Sequence, residues 1–380
     1  MNSQGAAVQE VPMQQKPVMQ KVVQAIAAAP KSLWLKLLVA LYNNRAYHWF
    51  IAIPLAPLDT FFGFLYKLLY LIWPIRYWQE WQSLPEPHFP LPLVKDDVPV
   101  QTEPCDACGK YLTSMITTYV DVDRVRALLP PGISLDKEHI HKDDRTGKDE
   151  HALMLMFGYT QNLRRAFWPL PGMSYLEFLV GVPHVILEDN NVDPSRRFFY
   201  IPVLHLNHLY PTILGLLVGY RKRWSRVWAT ENTYTVRSLI TGSKILEVSF
   251  TPNDLPGAEN PSEANHWKEL LDQPNVNPFG QDKLFLHFHW AWDHIHAKDI
   301  RPVTAELTIY QDIPGLSPGK YHFEGINRGE WINGMAPQGG LRFCAPFELL
   351  PPFSLKLLEK HDQVKVAAIR AAAASANRDV

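Results

Sequence analysis

One lysine stands inside an apolar and aromatic run. From Arg197 to Trp228 the chain reads RFFYIPVLHLNHLYPTILGLLVGYRKRWSRVW, and Lys222 is the side chain there with the makings of a nucleophile. A free amine attacks a carbonyl carbon and an ammonium does not, so the lysine pKa of about 10.4 must fall toward neutrality. Loss of hydration lowers it, because burial disfavours the charged form. The chemistry that follows is a carbinolamine and then a protonated Schiff base. Its iminium nitrogen can take up the electrons released when a β-carboxylate leaves as carbon dioxide, and the same Schiff base can instead support aldol or dehydration chemistry.

Other residues with chemical potential are less well placed. His205 and His208 are three apart on an expected strand and so face differently. His287 and His289 share a face, with Asp293, His294 and His296 nearby, but no third metal ligand is placed by the spacing, so no metal is expected. His289 or Trp290 is instead a candidate to line a substrate cavity. Cys105 and Cys108 form one C-x-x-C without a second pair, and with Cys344 they make no disulfide framework, which favours a reducing, intracellular setting. Asn162 to Met173 reads as an inserted loop, cationic and aromatic. Its Arg164 and Arg165 are candidates for a carboxylate clamp, weighed against an ordinary surface role.

Elements must position these groups. Phe198 to Leu206 is β-branched and aromatic, as a buried strand is; Pro211 to Val218 is an apolar connection, and Gly219 a turn into the strand carrying Lys222. If Tyr220 to Trp224 is extended, Arg221 and Arg223 face away from Lys222, and desolvation rather than a neighbouring cation must lower its pKa. From Lys110 onward short strands alternate with turns, predicting an α+β, mainly β fold built on a closed antiparallel barrel. Lys137 to His151 reads as a charged surface loop.

The segment around Lys222 resembles the core of the acetoacetate decarboxylase superfamily. The matching elements are Leu204 to His208, Thr212 to Val218, and the turn Tyr220, Arg221, Lys222, Arg223. YVDVDRVRALLPPGISLD, Tyr119 to Asp136, is similar to an early segment of that family. YLEFLVGVP, Tyr175 to Pro183, is similar to the strand bearing its active-site glutamate, and APFELLPP, Ala345 to Pro352, to its closing segment. The resemblance implies a lyase with Lys222 as the Schiff-base residue, Glu177 as proton shuttle or orienting group, and Tyr220 at the substrate. No cofactor is implied, and homo-oligomers are common in the family. Two departures stand out: Arg221 replaces the usual proline, and the family's carboxylate-binding arginine has no counterpart.

The chain has 380 residues, 47% of them hydrophobic, with a formal net charge of −1, which excludes a basic nucleic-acid footprint. Residues 1–31, rich in Gln, Ala and Val, are an expected flexible lead. Residues 32–82 hold five of the twelve tryptophans among lysines and arginines, predicting amphipathic helices that lie on a membrane, with a spanning helix or a helical layer packed on the barrel as the alternatives. Residues 83–104 are a proline-rich linker, 105–353 the barrel, and 354–380 a C-terminal helix and tail. Together these features predict a membrane-associated decarboxylase of a hydrophobic β-keto acid. The alternative is a non-catalytic binder of a lipid-like small molecule on the same barrel.

Overall fold

The computed structural model describes residues 53–72, 107–143, 146–165, 167–217, 219–252, 270–279, 282–291, 301–324, 339–350 and 352–376. The expected lead, the linker, Cys105, and Asp293, His294 and His296 lie outside them.

Nine strands follow one another around a closed ring: β1 (Ala107–Asp121), β2 (Asp149–Arg165), β3 (Met173–Leu187), β4 (Phe198–Leu206), β5 (Lys222–Ala229), β6 (Thr233–Ser238), β7 (Lys244–Pro252), β8 (Arg301–Ile309) and β9 (Gly339–Leu349). β9 closes the ring by pairing with β1, Tyr111 opposite Ala345. The ring is antiparallel at every step but one. β4 and β5 run parallel, with Leu204 opposite Lys222, and such a pair needs a crossover. Helix α3 (Leu209–Leu217), the next after the short α2 (Val122–Arg126), supplies it, and Gly219, at φ 87°, turns the chain into β5.

Inside the ring, Phe157 packs its ring 5.0 Å from Phe178, 5.4 Å from Tyr234 and 5.5 Å from Phe250. From Ser225 on, β5 alternates as a half-covered strand should: Ser225, Val227 and Ala229 are buried while Arg226 and Trp228 are exposed. β3 is buried along almost its whole length, because the face that does not meet the ring interior is covered as well. Part of that cover is the helix Ile53–Ile72, which packs along it.

Two expectations need correcting here. Asn162 to Met173 is not an inserted loop: β2 runs on through Arg165 and turns back to pair Leu163 with Met173. Asn162 makes this possible by a bulge. It takes φ 53°, donates its backbone N–H to Ser174 Oγ at 2.9 Å and accepts from Gly172 N–H at 2.9 Å. Lys137 to His151 is not simply a solvated loop either, since Lys137–His139 form a 3-10 turn. His139 stacks on buried His184, centroids 3.7 Å apart, and bonds Asp136 at 2.6 Å.

Of residues 32–82, those described form helix α1 (Ile53–Ile72), which packs along β3 and β2. Asp59 is buried and ion-paired with Arg165, Oδ2 to Nε 2.9 Å. Phe62 stacks on Tyr210, and Tyr66 stacks on His208 with centroids 3.5 Å apart. Trp168 Nε1 donates to Thr60 Oγ1 at 2.8 Å. The other face leaves Leu58, Phe61, Phe64, Leu65, Leu68 and Leu69 exposed. No helix among the described residues is long and apolar enough to cross a membrane.

Candidate active site

A cavity of about 400 Å³ lies against the outer face of β2, β3 and β4, and its lining is mostly apolar. The strand register explains which side chains reach it. Glu177 is opposite Gly158, Leu179 opposite Met156 and opposite Leu204, and Leu204 opposite Lys222, so Met156, Glu177, Leu179, Leu204 and Lys222 share one face. Gly158 has a spatial role on that face: any Cβ there would lie 2.1 Å from the Tyr111 hydroxyl oxygen, so its absence lets the tyrosine cross toward Glu177.

Lys222 is half-buried as a residue, with its amine at the inner end, donating to the Pro211 carbonyl at 3.2 Å. Its stem runs past Gly215 of α3, and Nζ lies 5.8 Å from the centre of the Tyr220 ring. Burial pushes its pKa down to about 8, and the Glu177 carboxylate pulls partly the other way. The cause is the one the alternation of Arg221, Lys222 and Arg223 implies: both arginines are exposed, and neither is a source of the shift.

Burial likewise raises the pKa of Glu177, against the Lys222 cation and the hydroxyls of Tyr111 and Thr160. Thr160 Oγ1 is 3.5 Å from Glu177 Oε1. From the ring interior, Tyr234 donates to the Glu177 backbone carbonyl at 2.6 Å and so holds the strand behind the carboxyl. An amine whose pKa burial lowers and a carboxyl whose pKa burial raises, in one mostly apolar cavity, are suited to carbonyl condensation and proton return.

Of the other candidates, Arg164, Arg165, Tyr220 and Trp290 line the cavity. His289 does not. On the strand Phe288–Trp290 the flanking Phe288 and Trp290 face the cavity, and period-two alternation sends His289 to the other side, its Nδ1 4.0 Å from Glu348 Oε2. Arg165 is already paired with Asp59, while Arg164, whose Nη1 donates to the Trp168 carbonyl at 3.0 Å, keeps its other N–H groups at the cavity wall. His205 bonds Ser225 Oγ at 2.8 Å, and His208 stacks under Tyr66. No cluster of metal-binding side chains is found among the described residues.

Sequence reasoning missed Tyr111, Thr160, Gly215 and Asp59. The acid had one visible signal: it is the single carboxylate in an otherwise apolar helix, IPLAPLDTFFGFLYKLLYLI.

No protein-family model and no curated protein matches the chain. Solved structures do, at low identity. The enduracididine biosynthesis enzyme MppR with HEPES bound is 15% identical, covering 70% of this chain and 93% of its own, with a TM-score of 0.42. Acetoacetate decarboxylase from Legionella pneumophila is 14% identical, covering 70% and 93%, with a TM-score of 0.41. An acetoacetate decarboxylase-like enzyme from Sphingomonas wittichii RW1 is 14% identical, covering 70% and 97%, with a TM-score of 0.40.

Proposed function

We propose that this protein is a Schiff-base enzyme whose Lys222 condenses with the ketone of a hydrophobic β-keto acid and releases its carboxylate as carbon dioxide. The observation that carries the reading is the Lys222 amine, brought down to a pKa of about 8 inside an apolar cavity that it shares with Glu177. The neutral amine adds to the ketone, and the carbinolamine loses water to give a protonated imine. The bond to the carboxylate carbon then breaks, and its electron pair flows to the iminium nitrogen, leaving carbon dioxide and an enamine. Glu177, whose protonated form burial favours, returns a proton to the enamine carbon. Water hydrolyses the resulting imine, and the amine is free again.

The apolar lining, with Tyr220 and Trp290 in it, suits a hydrocarbon-bearing substrate. The exposed apolar face of α1 supports work at a membrane surface, because its one acid is turned inward and its one cation, Lys67, is exposed. A non-catalytic carrier is the second reading, favoured by the ion pair that already occupies Arg165. Borohydride added with 3-oxododecanoate, followed by peptide mass mapping, separates the two. A reduced adduct on Lys222, absent from Lys222→Met, is expected; no adduct at any lysine would overturn the enzymatic reading.

A further inference from the structure

The cavity has two chemically different ends. Lys222 and Glu177 mark one. Arg165 marks the other, seven residues along β2 from Gly158, the partner of Glu177, or roughly 20 Å of strand. At that far end the guanidinium faces a carboxylate from the chain itself, Asp59 on α1, at 2.9 Å and with both side chains buried. Pro54 and Leu55 of the same helix line the wall beside them.

We infer that Asp59 is a specificity-determining residue, one that makes the far end of the cavity accept an uncharged tail and reject a carboxylate. The physical reason is charge balance. A buried guanidinium demands an anion, and Arg165 already has Asp59: a ligand carboxylate reaching it would have to displace Asp59 or be buried beside it, two anions against one guanidinium, while neighbouring Arg164 gives an Nη1 N–H to the Trp168 carbonyl. A methyl-ended chain meets no such cost. The inference rests on the proposed reading only in taking Lys222 as the reacting end. It narrows the substrate class to molecules with their single acid next to the ketone and hydrocarbon beyond it.

The test is equilibrium binding of two matched ketones long enough to span the cavity, 2-heptadecanone and 16-oxoheptadecanoate, to the full chain by displacement of Nile red. They differ only in the terminal methyl or carboxylate. The wild type should prefer the neutral ketone by about tenfold or more. Asp59→Asn should erase or invert that preference by admitting the keto acid to Arg165, and Asp59→Glu should keep it. Because removing one partner of a buried pair endangers the fold, Asp59→Leu with Arg165→Met is the companion variant, expected to fold and to retain the preference. An unchanged ratio in folded Asp59→Asn, or a lost preference in the double variant, would overturn the inference. Repeating the measurement in Lys222→Met keeps it independent of any Schiff base, so a failed trapping experiment leaves the outcome readable.

Discussion

A Cβ placed on Gly215 would lie 2.2 Å from both Cδ and Cε of Lys222 and 2.8 Å from its Nζ, so the crossover helix and the lysine fit only because Gly215 has no side chain. The same helix offers the Pro211 carbonyl to the amine. Helix α3 is therefore both the crossover that the parallel pair requires and the wall that sets where the nucleophile ends.

Gly215→Ala should disturb the lysine without unfolding the protein. Alanine is favoured over glycine in a helix by about 1 kcal/mol, which offsets the local crowding. Intact-mass analysis should show the borohydride-trapped adduct falling by about tenfold, while the melting temperature moves by only a few degrees. A normal adduct yield would mean that the stem has room to spare.

The pH dependence follows from the depressed pKa of Lys222. Below about 8 the buried amine is charged, and the neutral fraction rises tenfold per pH unit until it levels above that value. Single-turnover trapping from pH 6 to 9.5 should trace that curve. Stability should rise over a different window. Between about 8 folded and about 10.4 unfolded, the unfolded chain holds the extra proton, so unfolding becomes harder as pH increases through that interval. Lys222→Met should lose both effects.

Glu177→Gln should separate condensation from turnover. The amide returns no proton to the enamine, so steady-state carbon dioxide release should drop by about 100-fold while the trapped adduct persists. The Glu177 charge also raises the Lys222 pKa, so the midpoint of adduct formation should move to lower pH in this variant. A midpoint that stays put or rises would show that the two groups do not sense each other.

Gly63→Leu tests how α1 is seated. A Cβ there would lie 2.4 Å from the Gly172 carbonyl oxygen, a backbone atom that cannot step aside. The helix should lift, exposing Trp168 and breaking the Asp59–Arg165 pair, with a red-shifted tryptophan emission and a stability loss of about 3 kcal/mol or more.

Phe61→Asp combined with Phe64→Asp tests the outer face of α1. These rings are 59% and 62% exposed, so the melting temperature should hold. Flotation with anionic vesicles should be lost in the variant and present in the wild type. Equal flotation of the two would remove the membrane reading of this face.

Local signals carried the reading of the strand that leads to the lysine. Phe198–Leu206 is β4 as its β-branched and aromatic run implied, and Gly219 is the turn. The unequal exposure of Lys222 and its flanking arginines also follows from simple alternation. What escaped was long-range. Asp59 finds Arg165 across 106 residues, and Tyr111 reaches Glu177 because a glycine on a third strand, Gly158, makes way. No local period encodes such meetings. The choice between His289 and Trp290 turned on which face of a three-residue strand looks inward, and that depended on pairing with β9. The insertion expected at Asn162 was a hairpin because polar residues in a bulge look like loop residues.

That bulge makes a stretch with the composition of a tolerant turn intolerant of length change. Deleting a single residue between Thr160 and Leu163 would shift the frame of everything after it by one, and in an extended chain one step is half a rotation. Arg165 would then swing to the opposite side of the sheet, Asp59 would be stranded, and α1 would lose its anchor. A one-codon deletion here should behave like a core mutation, whereas the same deletion in the exposed Thr241–Ser243 turn should pass almost unnoticed.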